Sequence, residues 1–198
     1  LAPYGEPIYV KTILDNLLDL KEDGSFRLDM SYFNFAAGLT MTNDKFDKLF
    51  GAPPRTSETE ISQREMDLAR SIQVVTEEIV LKIAHTVHKE LGVDKLCLAG
   101  GVALNCVSNG RLLREGPFHD IWIQPDSGDA GGAVGAALAI WHEYLKKPRQ
   151  VDSDDAMQGS YLGPRPDNQA ITQYLDSVGS VYRQLEDAEL IPEVANII

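Results

Sequence analysis

Two glycine-rich turns hold the residues in this sequence best suited to chemistry. Gly100-Gly101 follows the apolar run Lys95-Leu-Cys-Leu-Ala99, and Gly128-Asp-Ala-Gly-Gly132 follows a second run, Asp120-Ile-Trp-Ile-Gln124. Glycine lets the backbone take a positive φ and leaves no Cβ in a ligand's way. A helix that opens there aims unpaired N–H groups and its positive end at the same point, a suitable place for phosphate or ribose oxygens. In the second turn Ser127 and Gly128 offer a hydroxyl and an open backbone, and Gly131, Gly132 and Gly135 let the next helix approach closely. Asp129 has two readings that the pattern leaves open. It caps the helix that follows, or its carboxylate serves as an oxygen ligand for a hard divalent cation. Asn105, early in the first helix, either reads ribose or phosphate or bonds locally. Asp126 and Arg111 are weaker candidates. The turns contain neither Gly-Lys-Ser/Thr nor Gly-x-Gly-x-x-Gly, so the two common nucleotide fingerprints are absent. The competing explanation is tight helix-on-sheet packing with no ligand.

The surrounding pattern supplies elements to position these turns. Ser62 and Glu65 form a capping box, and apolar residues from Met66 through Val75 and Ile83 to Leu91 recur at helical spacing, so 62–91 is the strongest helix. Gly92 is a suitable αL stop. Strands are expected over 95–99 and 120–124, with helices over 102–114 and 130–145. This order defines an α/β class. Before it, a helix over 10–20, strands over 25–28 and 32–35, and a capped helix over 43–50 are expected. After it, 146–159 reads as a polar linker, 168–177 and 187–198 as helices, and 180–184 as extended. His85 and His88 lie three apart on the long helix, a spacing that allows a shared metal, but they read as helix-surface residues.

The 198 residues carry 30 acidic and 18 basic side chains, a net charge of -12, so a general nucleic-acid binder is not expected. A small phosphorylated ligand remains compatible, because backbone N–H groups hold phosphate without a cationic surface. Cys97 and Cys106 sit in apolar sequence and read as reduced core residues of a cytoplasmic protein. No apolar run reaches membrane-spanning length.

The two turns together are distinctive. Leu98-Ala-Gly-Gly-Val-Ala-Leu-Asn105 and Gln124-Pro-Asp-Ser-Gly-Asp-Ala-Gly-Gly-Ala-Val-Gly-Ala-Ala137 resemble the carbamoyltransferase family of nodulation and antibiotic-tailoring enzymes. Leu1-Ala-Pro-Tyr-Gly5 and Ser160-Tyr-Leu-Gly-Pro164 resemble further segments of that family. The resemblance implies an actin-like ATPase (ribonuclease H-like) domain lacking its N-terminal half, similar to the enzymes that make threonylcarbamoyladenosine. It divides the chain into an acceptor-side segment at 1–60 and the C-terminal half of the nucleotide-binding domain at 61–147. A linker and the start of a YrdC-like domain would occupy 148–198.

By similarity Gly100, Gly101, Val102 and Asn105 would line the adenosine site. Ser127, Gly128 and Gly131 would shape the second turn, and Asp129 would ligate a divalent metal, Fe2+, Mg2+ or Mn2+. ATP and carbamoyl phosphate would form a carbamoyladenylate, whose carbamoyl group passes to a hydroxyl of a sugar or antibiotic-like acceptor. The family's histidine-rich metal motif lies upstream of these residues and most of the YrdC-like domain downstream, so the chain is expected to be a fragment without turnover of its own. A small-molecule kinase of the same superfamily and a non-catalytic nucleotide-binding module are the alternatives. The sequence names neither the acceptor nor the oligomeric state.

Overall fold

The computed structural model describes residues 1–151 and 157–198. They fall into two compact units, Leu1–Val151 and Asp152–Ile198.

The spine of the first unit is a long helix, α3 (Gln63–Leu91), preceded by α1 (Val10–Asn16) and α2 (Asp44–Phe50). Local chemistry fixes both of its ends. The Ser62 N–H and hydroxyl donate to Glu65 Oε2 at 2.9 and 2.6 Å, and Gly92 stops the helix at φ 60°. These bonds, the hydroxyl's first, hold the Glu65 carboxyl below the ordinary glutamate range. A lowered folded pKa gives a contribution fully present above the unfolded value of about 4.3 and lost as pH falls through the folded value. Amide exchange at the first turn of α3 should therefore accelerate in that acid window before exchange at the buried Leu112. Simultaneous loss at both places would show that the cap adds nothing local.

The buried face of α3 differs from the expected apolar stripe. Ile72, Ile83 and Leu91 are 50%, 41% and 66% exposed, whereas Asp67, Ser71 and Glu77 are buried. The cause is long-range. Residues 1–9 run along α3 and bring backbone N–H groups that need acceptors. Glu6 N donates to Asp67 Oδ1 at 2.8 Å, and Tyr9 N donates to Ser71 Oγ at 3.0 Å.

One end of α3 closes a core with α1, α2 and a hairpin of β1 (Leu18–Leu20) and β2 (Phe26–Leu28), around Ile13, Leu17, Phe50 and Val75. The helix expected over 10–20 stops at Asn16, because 18–20 pair antiparallel with 26–28. Gly24, at φ 85°, supplies the turn between them. The strand expected over 32–35 is instead a short 3-10 turn, Met30–Tyr32, capped by Asp29, followed by one bridge from Phe33 to Thr42. The other end of α3 packs on β3 (Lys95–Leu98), α4 (Cys106–Glu115) and β4 (Asp120–Ile123) around Ala84, Leu112 and Phe118. The strands are parallel, with Lys95 opposite Asp120 and Leu98 opposite Ile123, so β3–α4–β4 is a crossover unit and the chain mixes helix and parallel sheet.

Strand alternation corrects the reading of the cysteines. Leu96, Leu98 and Ile121 turn to the core, so Cys97 and Trp122 lie on the opposite face, and Cys97 is exposed. Cys106 is also exposed, because α4 turns Ser108, Asn109 and Leu112 inward instead.

After β4, α5 (Gly131–Ala139) continues into a π-helical turn, Ile140–Tyr144, where one helix was expected. The linker expected over 146–159 lies in part outside the described residues. In the second unit, α6 (Asn168–Ser177) is capped by Asp167, and α7 (Asp187–Ile197) follows. Residues 180–184 form no strand. Tyr182 instead donates its hydroxyl to Asp176 at 3.0 Å. Among the described residues no helix is long and apolar enough to cross a membrane.

Candidate functional site: two joined glycine turns

The two turns are bonded directly to each other. Gln124 N donates to Leu98 O at 3.0 Å and Gly100 N donates to Ser127 O at 2.9 Å, which extends the parallel ladder past the strand ends. Gly100 has φ 107°, ψ 160°, a conformation that favours glycine. A 3-10 turn, Gly101–Leu104, follows, and Asn105 breaks it before α4 begins. The helix expected over 102–114 is therefore two pieces.

The glycines divide by what surrounds them. A Cβ on Gly131 would lie 2.0 Å from Asp126 O, so Gly131 permits a close backbone approach. A Cβ on Gly128 would only touch Leu104 at 4.0 Å. Gly100, Gly101, Gly132 and Gly135 face open space, with nothing within 4 Å of an added Cβ. Val102 is 63% exposed beside them. Ser127 is buried, and its hydroxyl donates to Gln124 O, so that group braces the turn.

Asp129 is exposed, and α5 carries no side-chain cap, so the capping role is not taken. No hydrogen bond or ion pair engages the Asp129 carboxylate among the described residues. Those residues also contain no group of three or more His, Cys, Asp or Glu that could hold a metal. One carboxylate does not satisfy a divalent cation, which takes several ligands. Asp129 by itself is therefore not a metal centre. His85 is exposed, and His88 lies 3.9 Å from Asp94 and edge-on to Phe118, which places both on the helix surface.

The Asn105 amide bonds locally. Its Nδ2 donates to Gln73 Oε1 at 2.8 Å, and its Oδ1 accepts from Gln73 Nε2 at 3.2 Å and from Ser108 N at 3.1 Å. Gln73 also donates to Glu77 Oε1 at 2.8 Å, and Arg111 donates to Glu77 Oε2 at 3.1 Å. Bonding to Glu115, and then to Glu77, raises the Arg111 guanidinium above its ordinary value. Asn109 Nδ2 donates to Ala103 O at 2.6 Å and holds the 3-10 turn. Sequence reasoning missed Gln73, Glu77 and Asn109. The available signal was two polar residues, Gln73 and Glu77, four apart within a helix otherwise read by its apolar stripe.

Fold and site thus define an α/β unit with paired, partly open glycine turns at the ends of parallel strands, the usual place for ligands in such sheets. A family model described as the carbamoyltransferase N-terminus matches residues 1–138, and the chain belongs to that family. It is 64% identical to the uncharacterized protein sll1178 of Synechocystis sp., over 100% of this chain and 32% of that protein. It is 34% identical to nodulation protein NolNO of Sinorhizobium fredii, over 83% of this chain and 22% of that protein. Nodulation protein NolO of Bradyrhizobium diazoefficiens is 33% identical, over 82% of this chain and 28% of that protein. The chain spans about a third or less of the length of these relatives.

Proposed function

We propose that this chain forms one wall of the nucleotide site of an ATP-dependent O-carbamoyltransferase with an actin-like ATPase domain. The carrying observation is the pair of bonded turns whose Gly100, Gly101, Gly132 and Gly135 stay open, in a chain of the carbamoyltransferase family. The open backbone around Gly100–Val102 receives the adenosine part of ATP. Carbamoyl phosphate supplies the carbamoyl group by hydrolysis to carbamate and inorganic phosphate. Carbamate attacks the α-phosphate of ATP to give the carbamoyladenylate and pyrophosphate. An acceptor hydroxyl then takes the carbamoyl group, losing its proton and releasing AMP. Asp129 contributes one ligand to a divalent cation whose other ligands come from outside the described residues.

Residues 6–60 shape the acceptor side. They help form an apolar recess of about 390 Å³ that includes Leu28, Phe33, Met41, Phe46 and Ile72, a size that suits part of a small molecule.

The test is calorimetric titration of the chain with ATP, comparing wild type with Gly101→Val. Open space around Gly101 keeps the stability change within about 0.5 kcal/mol. ATP affinity should nevertheless fall at least about tenfold, the size of effect expected when a side chain fills a ligand's place. Equal ATP affinity in the two proteins would remove the glycine turn from the site. ATP-dependent phosphorylation of an acceptor without carbamoyl phosphate would replace this reading with the kinase one.

A further inference from the structure

We propose that a second cavity, between residues 2–7, α3 and the start of α4, binds the phosphate group of a small molecule through Arg70. This cavity measures about 630 Å³, and Pro3, Glu6, Pro7, Arg70, Gln73 and Val107 are among its lining residues. The volume lies within the range of small-molecule sites.

Arg70 has an unusual position. Among the described residues, the other arginine and lysine side chains partly withdrawn from water each hold a carboxylate. Arg64 pairs with Glu65 at 3.6 Å, Lys82 with Glu22 at 3.7 Å and Arg111 with Glu77 at 3.1 Å. Arg70 is half-buried and has no ion pair or hydrogen bond with any described residue, in a chain with 30 acidic side chains. The guanidinium nitrogens of Arg70 are open to solvent and hold no acceptor among the described residues, so the fork is free to take an anion. An anionic ligand in the cavity would give that fork a charge-assisted partner.

The walls offer Arg70 little competition. Gln73, one turn along α3, has its amide committed to Asn105 and Glu77. Glu6 also lines the cavity, and its exposed carboxylate, which holds no cation among the described residues, is the acidic group that a bound anion must avoid. Val107 brings the first turn of α4 to the cavity, and the positive end of that helix adds to the attraction. An arginine fork beside a helix N-terminus suits phosphate. The phosphate has two possible sources, a nucleotide or carbamoyl phosphate.

Inorganic phosphate is the first probe, titrated calorimetrically into the 198-residue chain. Wild type should bind it saturably. Arg70→Gln should weaken binding by at least about tenfold, and Arg70→Lys by about threefold or less, as expected on loss or retention of a charge-assisted bond. Without ligand, Arg70→Gln should melt at the wild-type temperature or above it, because no protein partner is lost. Phosphate should raise the melting temperature of wild type and of Arg70→Lys, and that of Arg70→Gln far less.

Absence of saturable phosphate binding would overturn the proposal. So would equal phosphate binding by wild type and Arg70→Gln, or a lower melting temperature for unliganded Arg70→Gln. Displacement of phosphate by ATP, lost in Gly101→Val while phosphate still binds, assigns the site to a nucleotide. Displacement by carbamoyl phosphate but not ATP assigns it to that substrate. The choice between these two sources rests on the proposed carbamoyltransferase reading, whereas phosphate binding through Arg70 does not, so failure at Arg70 leaves the Gly101 result standing, and the reverse also holds.

Discussion

Replacing Gly5 with alanine is expected to cost on the order of 3 kcal/mol, because a hard overlap forces the loss of about three hydrogen bonds at about 1 kcal/mol each. A Cβ on Gly5 would lie 1.9 Å from Met66 O, 2.2 Å from Met66 C and 2.7 Å from Asp67 N. All three are backbone atoms inside α3, a continuous helix that cannot bend away without breaking its own ladder. The N-terminal segment must lift instead. It would then lose the bonds from Glu6 N to Asp67, from Tyr9 N to Ser71, and from Gln63 Nε2 to Tyr4 O at 3.2 Å. Urea unfolding should report the loss, and the Glu6 and Tyr9 amides should exchange faster. An unchanged unfolding midpoint with both amides still protected would mean that the segment does not need this close approach. Phosphate binding at Arg70 should disappear in the same variant, because residues 2–7 form one wall of that cavity.

The second large effect is expected at Arg111. Glu77 is 6% exposed, and Arg111 is its one ion-pair partner among the described residues, at 3.1 Å. Arg111→Met keeps the aliphatic stem and leaves a buried carboxylate without a cation, a change that costs about 3 kcal/mol. Adding Glu77→Gln should restore most of the stability, because the buried group is then neutral. The double-mutant cycle read by thermal or urea unfolding measures that coupling. A double variant no more stable than Arg111→Met alone would show that packing of the Arg111 stem, and not the buried charge, carries the loss. The Glu77–Gln73–Asn105 chain also seats the start of α4 behind the first glycine turn. ATP affinity should therefore fall in Arg111→Met and return in the double variant.

Legibility in the sequence followed the range of the interactions. The ends of α3 were readable because Ser62 with Glu65, and Gly92, act within one helical turn. The ends of α2 were readable for the same reason, with Asn43 accepting from Lys45 N and Phe46 N and Gly51 at φ 83°. Strand β2 was readable at 25–28, but β1 was missed because Leu18 and Leu20 keep helical spacing with α1 and change state only by pairing with Leu28 and Phe26. Buried Asp67 and Ser71 were missed because the donors they satisfy are 61 and 62 residues away. Cys97 was misread because hydrophobic sequence does not say which face of a two-stranded sheet is covered, and Cys106 because it does not say which side of α4 packs.

Residue type alone was enough to read Gly100-Gly101 and Gly128–Gly132 as turns that follow two strands and precede helices, and their wording placed the chain in its family. A positive φ and a strand end are local properties, carried by residue type. Not legible before folding were the bonds between the two turns, the packing of Gly131 beside the open Gly101 and Gly132, and the Asn105 amide that holds the wall. Those outcomes depend on partners brought close by folding: Gln73 lies 32 residues from Asn105 and meets it only because α3 packs against α4.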